Sequence, residues 1–140
     1  MYKKPLTLQI VLKLVERCNI NCTYCYVFNG ENDDWKYHSP YMKSDIVNQV
    51  IKFLMQGSNE LNITHISIIF YGGEPLMYKK KAFDELCINL KDALFSCKLD
   101  FSVQTNAMLV NDEWIQLFQK HKVGVGVSLD GPKSITILIA

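Results

Sequence analysis

No apolar run in this chain approaches the ~18 residues a membrane span needs, so a membrane is not expected as a partner. Charge of one sign is missing as well. Fifteen Lys and Arg stand against 14 Asp and Glu, for a net charge of +1. The densest basic stretch is Lys79-Lys80-Lys81, so no electrostatic footprint for nucleic acid is expected either. The N-terminus lacks the form of a signal peptide: Pro5 follows Lys3-Lys4, and Thr7, Gln9 and Lys13 break the next run. Repeats and low-complexity tracts are absent. The expected location is the reducing cytoplasm, where the five cysteines point to metal or redox ligands rather than a disulfide framework. What remains is one domain's worth of globular chain: 140 residues, 49% hydrophobic and 21% charged.

Strand and helix signals alternate along it. Leu8 to Val15 reads as a strand. Asp45 to Met55 carries Ile46, Val47, Val50, Ile51 and Leu54 at helical spacing, with Ser44 as the expected N-cap and Gly57 as the expected stop. His65 to Tyr71 is a second strand closed by Gly72-Gly73, and Lys80 to Phe95 a second helix with Phe83, Leu86, Cys87, Leu90 and Leu94 on one face. Leu99 to Thr105 is a third strand. Asn111 caps a helix carrying Trp114, Ile115, Leu117 and Phe118, and Val123 to Leu129 is a fourth strand ended by Asp130-Gly131-Pro132. This order predicts an α/β fold with a parallel sheet and right-handed crossovers, and ligands at the strands' carboxyl tips. The alternation leaves an open and a barrel-like sheet equally possible.

The fourth strand puts Val123, Val125, Val127 and Leu129 on one face and Gly124, Gly126, Ser128 and Asp130 on the other. A parallel strand buried on both sides is normally apolar on both. Two glycines beside polar groups therefore predict a cavity wall with room for something other than side chain. The third strand agrees, with Ser102, Gln104 and Asn106 opposite Phe101, Val103 and Thr105.

Directly after the first strand, Cys18, Cys22 and Cys25 fall within eight residues. Three thiols are one ligand short of a closed structural zinc site. An iron–sulfur cube held by three cysteines keeps one iron open to an exogenous ligand. Zinc stays open as the other reading, with His38 as the nearby candidate for a fourth ligand.

The spacing CxxxCxxC, with Tyr24 just before the last cysteine, resembles the cluster loop of the radical S-adenosylmethionine (SAM) enzymes. Tyr71-Gly72-Gly73-Glu74-Pro75 resembles that family's GGEP motif. Gln104-Thr105-Asn106 and the Ser128 to Pro132 segment resemble two further segments of the branch holding anaerobic sulfatase-maturing enzymes and SPASM-type peptide maturases. The residues around the cysteines are most similar to maturases of ribosomally made peptides. The resemblance covers about Leu8 to Pro132.

The resemblance implies a partial (β/α) barrel, here about three and a half β/α units over residues 1–140, without a SPASM domain. It implies that Cys18, Cys22 and Cys25 bind a [4Fe–4S] cluster whose open iron is chelated by S-adenosyl-L-methionine. Gly72, Gly73, Glu74 and Pro75 would meet the methionine ammonium, which suits glycine's close approach and a carboxylate's charge-assisted hydrogen bonds. Ser128 and Asp130 would face the ribose and methionyl end, Gln104 and Asn106 would also bind cofactor, and Tyr24 and Tyr26 would shape the cluster and adenine surroundings. The implied reaction is reductive cleavage of SAM to a 5′-deoxyadenosyl radical that modifies a peptide or protein side chain, by cross-linking a precursor peptide or by sulfatase-type maturation. An electron donor such as flavodoxin or ferredoxin is implied with it. Two alternatives stand beside this: a catalytically inactive cluster- or SAM-binding remnant, and a small zinc-binding α/β module.

Two departures from the family pattern matter. Ala107 stands where the family has glycine, so that loop is expected to run differently. The chain stops short of the family's full barrel, and Ser134 to Ala140 is apolar where a polar helix is usual. A truncation or altered frame is the expectation, with weak turnover and an exposed fourth-strand edge. Cys87 is expected in the core and Cys97 has no evident partner. His65 and His121 are expected to be structural or solvated, and residues 32–36 a surface loop.

Overall fold

The computed structural model describes residues 6–129 and 131. Asp130, Pro132 and the segment from Ser134 lie outside that range. Four strands, β1 (Leu6–Val15), β2 (Ile63–Gly72), β3 (Lys98–Thr105) and β4 (Val123–Val127), form one sheet in the order β1-β2-β3-β4. Every pairing is parallel. The crossovers are helices α1 (Ser44–Leu61), α2 (Lys80–Ala93) and α3 (Asp112–His121). This is the expected α/β succession, and among the described residues no helix is long and apolar enough to cross a membrane.

The register divides the sheet into two unlike faces. Leu12 pairs with Phe70, Ile68 with Phe101, and Phe101 with Val123, so these side chains share one face. They join a core with Leu86 and Leu90 of α2 and Trp114 and Phe118 of α3. Phe83 packs edge-on to both Phe70 and Trp114, at 4.9 and 5.3 Å between ring centroids. On the other face lie Lys13 paired with Tyr71, Ser102 paired with Gly124, and Gln104 paired with Gly126. That face is polar, in line with the alternation read from β3 and β4.

Element ends differ from the sequence reading in instructive ways. Gly57 does not stop α1: the helix continues to Leu61 and closes at Asn62, which takes the left-handed conformation at φ 53° and donates its N–H to Ser58. Ser44 is the first helical residue rather than the cap, and Lys43 precedes it with no side-chain capping bond. Asn111 does cap α3, its side chain accepting from the Trp114 N–H at 3.1 Å. Cys87 is fully buried, and desolvation pushes its thiol up to about 12. Cys97 does have a partner, since its thiol donates to the Ile63 carbonyl at 3.2 Å.

Candidate cofactor site at the strand tips

The segment between β1 and α1 rises from the carboxyl end of β1 and is pinned at its neck. Glu16 donates its N–H to Pro40 and Met42 donates to Leu14, each at 2.9 Å, so the returning chain lies against β1. Arg17 binds the far side of the loop. Its guanidinium donates to the carbonyls of Trp35 at 2.6 Å and His38 at 3.3 Å, and lies 5.1 Å from the Trp35 ring centroid. Within this frame Cys25 donates its N–H to the Cys22 carbonyl at 3.0 Å. Asn29 braces the same turn, its side chain donating to the Cys22 carbonyl at 2.7 Å and its N–H to the Cys25 carbonyl at 2.8 Å.

The three thiols are free and partly exposed. Among the described residues no three His, Cys, Asp or Glu side chains converge on a point that would enclose a single ion. His38, the fourth ligand of the zinc reading, is turned to Glu16 at 3.2 Å. A cube places its irons apart, so its cysteines need not meet at one point. Three reduced thiols on one braced loop, with Cys18 lining a cleft of about 340 Å³, fit that group better than zinc. Burial is the main cause that raises the Cys18 thiol, and the charges of Glu74 and Cys22 add to it. Binding of an iron–sulfur cube to these thiols would release protons.

The tip of β2 lies against the base of this loop. Gly73 donates its N–H to Val15 at 3.0 Å and Glu74 donates to Arg17 at 2.9 Å. A Cβ at Gly72 would run into the Val15 carbonyl, and one at Gly73 into the Arg17 carbonyl and, at 2.6 Å, the Phe28 ring. The chain's own backbone therefore requires both glycines. Pro75 starts a single 3-10 turn, Pro75–Met77, with Glu74 as its N-cap.

Glu74 has no exposed surface. One carboxylate oxygen accepts from the Leu76 N–H at 2.8 Å and the Thr105 hydroxyl at 2.7 Å, and the other accepts from the Asn106 N–H at 2.8 Å. The carboxylate thereby ties the tips of β2 and β3 together. Asn106 reaches on to the cysteine loop, its Nδ2 lying 2.9 Å from Asn19 Oδ1 and 3.8 Å from Cys18 Sγ.

Gln104 and Ser128 also meet, through a 2.9 Å bond from Gln104 Nε2 to Ser128 Oγ. Ser128 donates its N–H to the Thr105 carbonyl at 2.9 Å. Gln104 reaches Ser128 by lying across Gly126, whose added Cβ would strike Gln104 Oε1. This corrects the expectation that the glycines of β4 leave space for something other than side chain: at Gly126 a glutamine takes it. Ala107 sits at φ 64°, in the left-handed region that glycine favours and that suits the glycine of the family pattern.

Tyr24 is half exposed beside Cys25. Tyr71, next to the glycine pair, shares a hydrogen bond with Tyr26. Its phenol is raised first by burial, then by Tyr26 and the nearby Cys25. Sequence reading missed Asn19, Asn29, Thr105 and Arg17 as supports of the site. The abundance of asparagine around the cysteines signalled Asn19 and Asn29, and Thr105 lies inside the Gln104-Thr105-Asn106 segment, but nothing pointed to Arg17.

The family model described as Radical SAM superfamily matches residues 12–138. A cysteine-type anaerobic sulfatase-maturating enzyme of Clostridium perfringens is 31% identical over 120 residues, which are 84% of this chain and 31% of that protein. A serine-type enzyme of Klebsiella aerogenes is 29% identical over 138 residues, 95% of this chain and 32% of its own. An uncharacterized protein of Methanocaldococcus jannaschii is 30% identical over 122 residues, 87% of this chain and 38% of its own. Among solved structures, native anSMEcpe with bound AdoMet and Cp18Cys peptide superposes with a TM-score of 0.74 at 30% identity, over 97% of this chain and 34% of that one. Native anSMEcpe with bound AdoMet gives 0.75 at 29% identity, over 96% and 35%. The chain thus spans about a third of the length of these relatives. The family match runs from within β1 past the last described residue, so the chain belongs to the radical SAM superfamily, whose cofactors are a [4Fe–4S] cluster and SAM.

Proposed function

We propose that residues 1–140 form the N-terminal portion of a radical SAM core that cleaves SAM reductively to modify a peptide or protein side chain. The observation that carries this reading is a continuous hydrogen-bonded chain across all four strand tips. It runs from the Cys18 loop to Glu74 through Arg17, from Glu74 to Thr105 and Asn106, and from Thr105 to Ser128. Such a chain fixes donors and acceptors from four separate elements around one edge of the sheet, where ligands of parallel α/β folds bind.

Cys18, Cys22 and Cys25 hold the cluster in this reading, with Asn29 keeping their turn in shape. Gly72, Gly73, Glu74 and Pro75 form the wall toward the methionine end. Ser128 and Asp130 serve the ribose and methionyl side, with Gln104 bonded to Ser128; Asn106 turns its amide to the cysteine loop, and Tyr24 and Tyr26 serve the adenine surroundings. When bound, the two cofactors supply an electron and a 5′-deoxyadenosyl radical that abstracts hydrogen, chemistry the protein orients and shields from water. The relatives' names and the Cp18Cys peptide in one of them support a peptide substrate. Precursor-peptide cross-linking or sulfatase-type maturation is the outcome in this reading, with flavodoxin or ferredoxin as donor.

The test is anaerobic incubation of the reconstituted chain with SAM and titanium(III) citrate, with 5′-deoxyadenosine measured by mass spectrometry. Product is expected from wild type and none from Cys22→Ala. A wild-type chain that holds its cluster yet releases no 5′-deoxyadenosine would instead be a binding remnant.

A further inference from the structure

The Asn106 carboxamide is the one side chain from outside the loop that reaches a cysteine sulfur by a hydrogen bond among those described. Its orientation is determined by its neighbours. Oδ1 accepts the Met108 N–H at 3.0 Å, so Nδ2 must be the group turned to the loop. The two hydrogens of Nδ2 then have two acceptors, Asn19 Oδ1 at 2.9 Å and Cys18 Sγ at 3.8 Å. The backbone beneath is held by the buried Glu74 carboxylate, which accepts the Asn106 N–H at 2.8 Å. Every polar group that could let the amide rotate away is engaged.

A thiolate that binds iron can only accept hydrogen bonds. A donor aimed at it withdraws electron density from the sulfur and favours the reduced, more negative cluster. We infer that Asn106 is a positioning residue that sets the reduction potential of the cluster through an N–H···S bond to Cys18, with Glu74 holding it in place. This rests on the assignment of Cys18 as a cluster ligand proposed above.

The experiment compares wild type with Asn106→Asp and Asn106→Leu. Both variants have nearly the shape of asparagine; the first keeps an acceptor for Met108 and the second adds no charge. Each chain is reconstituted anaerobically with iron and sulfide, assayed for both, and titrated against a dithionite-poised mediator series followed by electron paramagnetic resonance. Both variants are expected to keep wild-type iron content. The equilibrium constant for one-electron reduction should fall about tenfold in Asn106→Leu, a shift of about 59 mV to lower potential, and further in Asn106→Asp. Full iron content with unchanged potentials would overturn the inference and leave the ligand assignment standing. Loss of the cluster from both variants would make Asn106 a strut of the loop, and overturns it equally. A wild-type chain that takes up no iron would defeat the ligand assignment itself.

Discussion

Ala107 shows how a single residue can hold a site's backbone against its own preference. Its φ of 64° is a conformation that costs a residue with a Cβ roughly 1–2 kcal/mol. The loop stays there because Ala107 donates its N–H to Thr105 Oγ1 at 3.0 Å and Val110 donates to the Ala107 carbonyl at 3.2 Å. Ala107→Gly removes the strain but gives the unfolded chain more freedom, which offsets roughly 0.4–1 kcal/mol. A net gain of about 0.5 kcal/mol is expected as a higher urea midpoint with an unchanged slope; a lower midpoint would contradict it. From sequence alone the missing glycine suggested an altered loop, because the two bonds that hold the turn are not visible there. The cysteine triplet and the paired glycines were legible, since spacing and residue type carry them. The burial of Glu74 and the reach of Asn106 were not. Those contacts join residues 32 and 88 positions apart, and no local pattern encodes them.

At the scale of elements, strand and helix succession was legible from period and punctuation, and the two faces of β3 and β4 from alternation. Helix ends were less so. Gly57 carried a stop signal, yet Leu54 and Ser58 are both buried and α1 runs through the glycine to finish at Asn62. The contact between α2 and α3 also had no signature in the sequence. His121 is 4% exposed, its Nε2 2.6 Å from Asp84 Oδ1 and its Nδ1 3.2 Å from Lys91 Nζ. An ammonium only donates, so in the neutral ring Nδ1 accepts and the proton sits on Nε2, facing Asp84. Hydrogen bonds from Lys120 and His121 hold the Asp84 carboxyl below its ordinary value of 3.8. A depressed folded value means this stabilisation is complete above the unfolded aspartate range and is lost as pH falls through the folded one. Asp84→Asn is expected to cost about 1 kcal/mol at neutral pH. Urea unfolding across a pH series should show that difference shrinking as pH drops below 3.8. A difference independent of pH would count against the pairing.

On the scale of the whole molecule, the sheet separates two tasks. One face packs against all three helices through Phe70, Phe101, Val103 and their neighbours. The opposite face is polar, and the strand tips carry the cysteine loop, the Glu74 staple and the Gln104–Ser128 pair. This division was legible as β/α alternation with polar residues at strand ends, whereas the hydrogen-bonded chain that joins the tips depends on the folded register. Among the described residues, Val125, Val127 and Leu129 of β4 and its end are 46%, 55% and 74% exposed. The central claim is that Cys18, Cys22 and Cys25 together hold one iron–sulfur cube. Iron and sulfide analysis with Mössbauer spectroscopy after strictly anaerobic reconstitution tests it most directly. About four irons and four sulfides per chain are expected in wild type and in Cys87→Ala, with the cube lost from Cys22→Ala. A full cube in Cys22→Ala, or its loss from Cys87→Ala alone, would contradict the account.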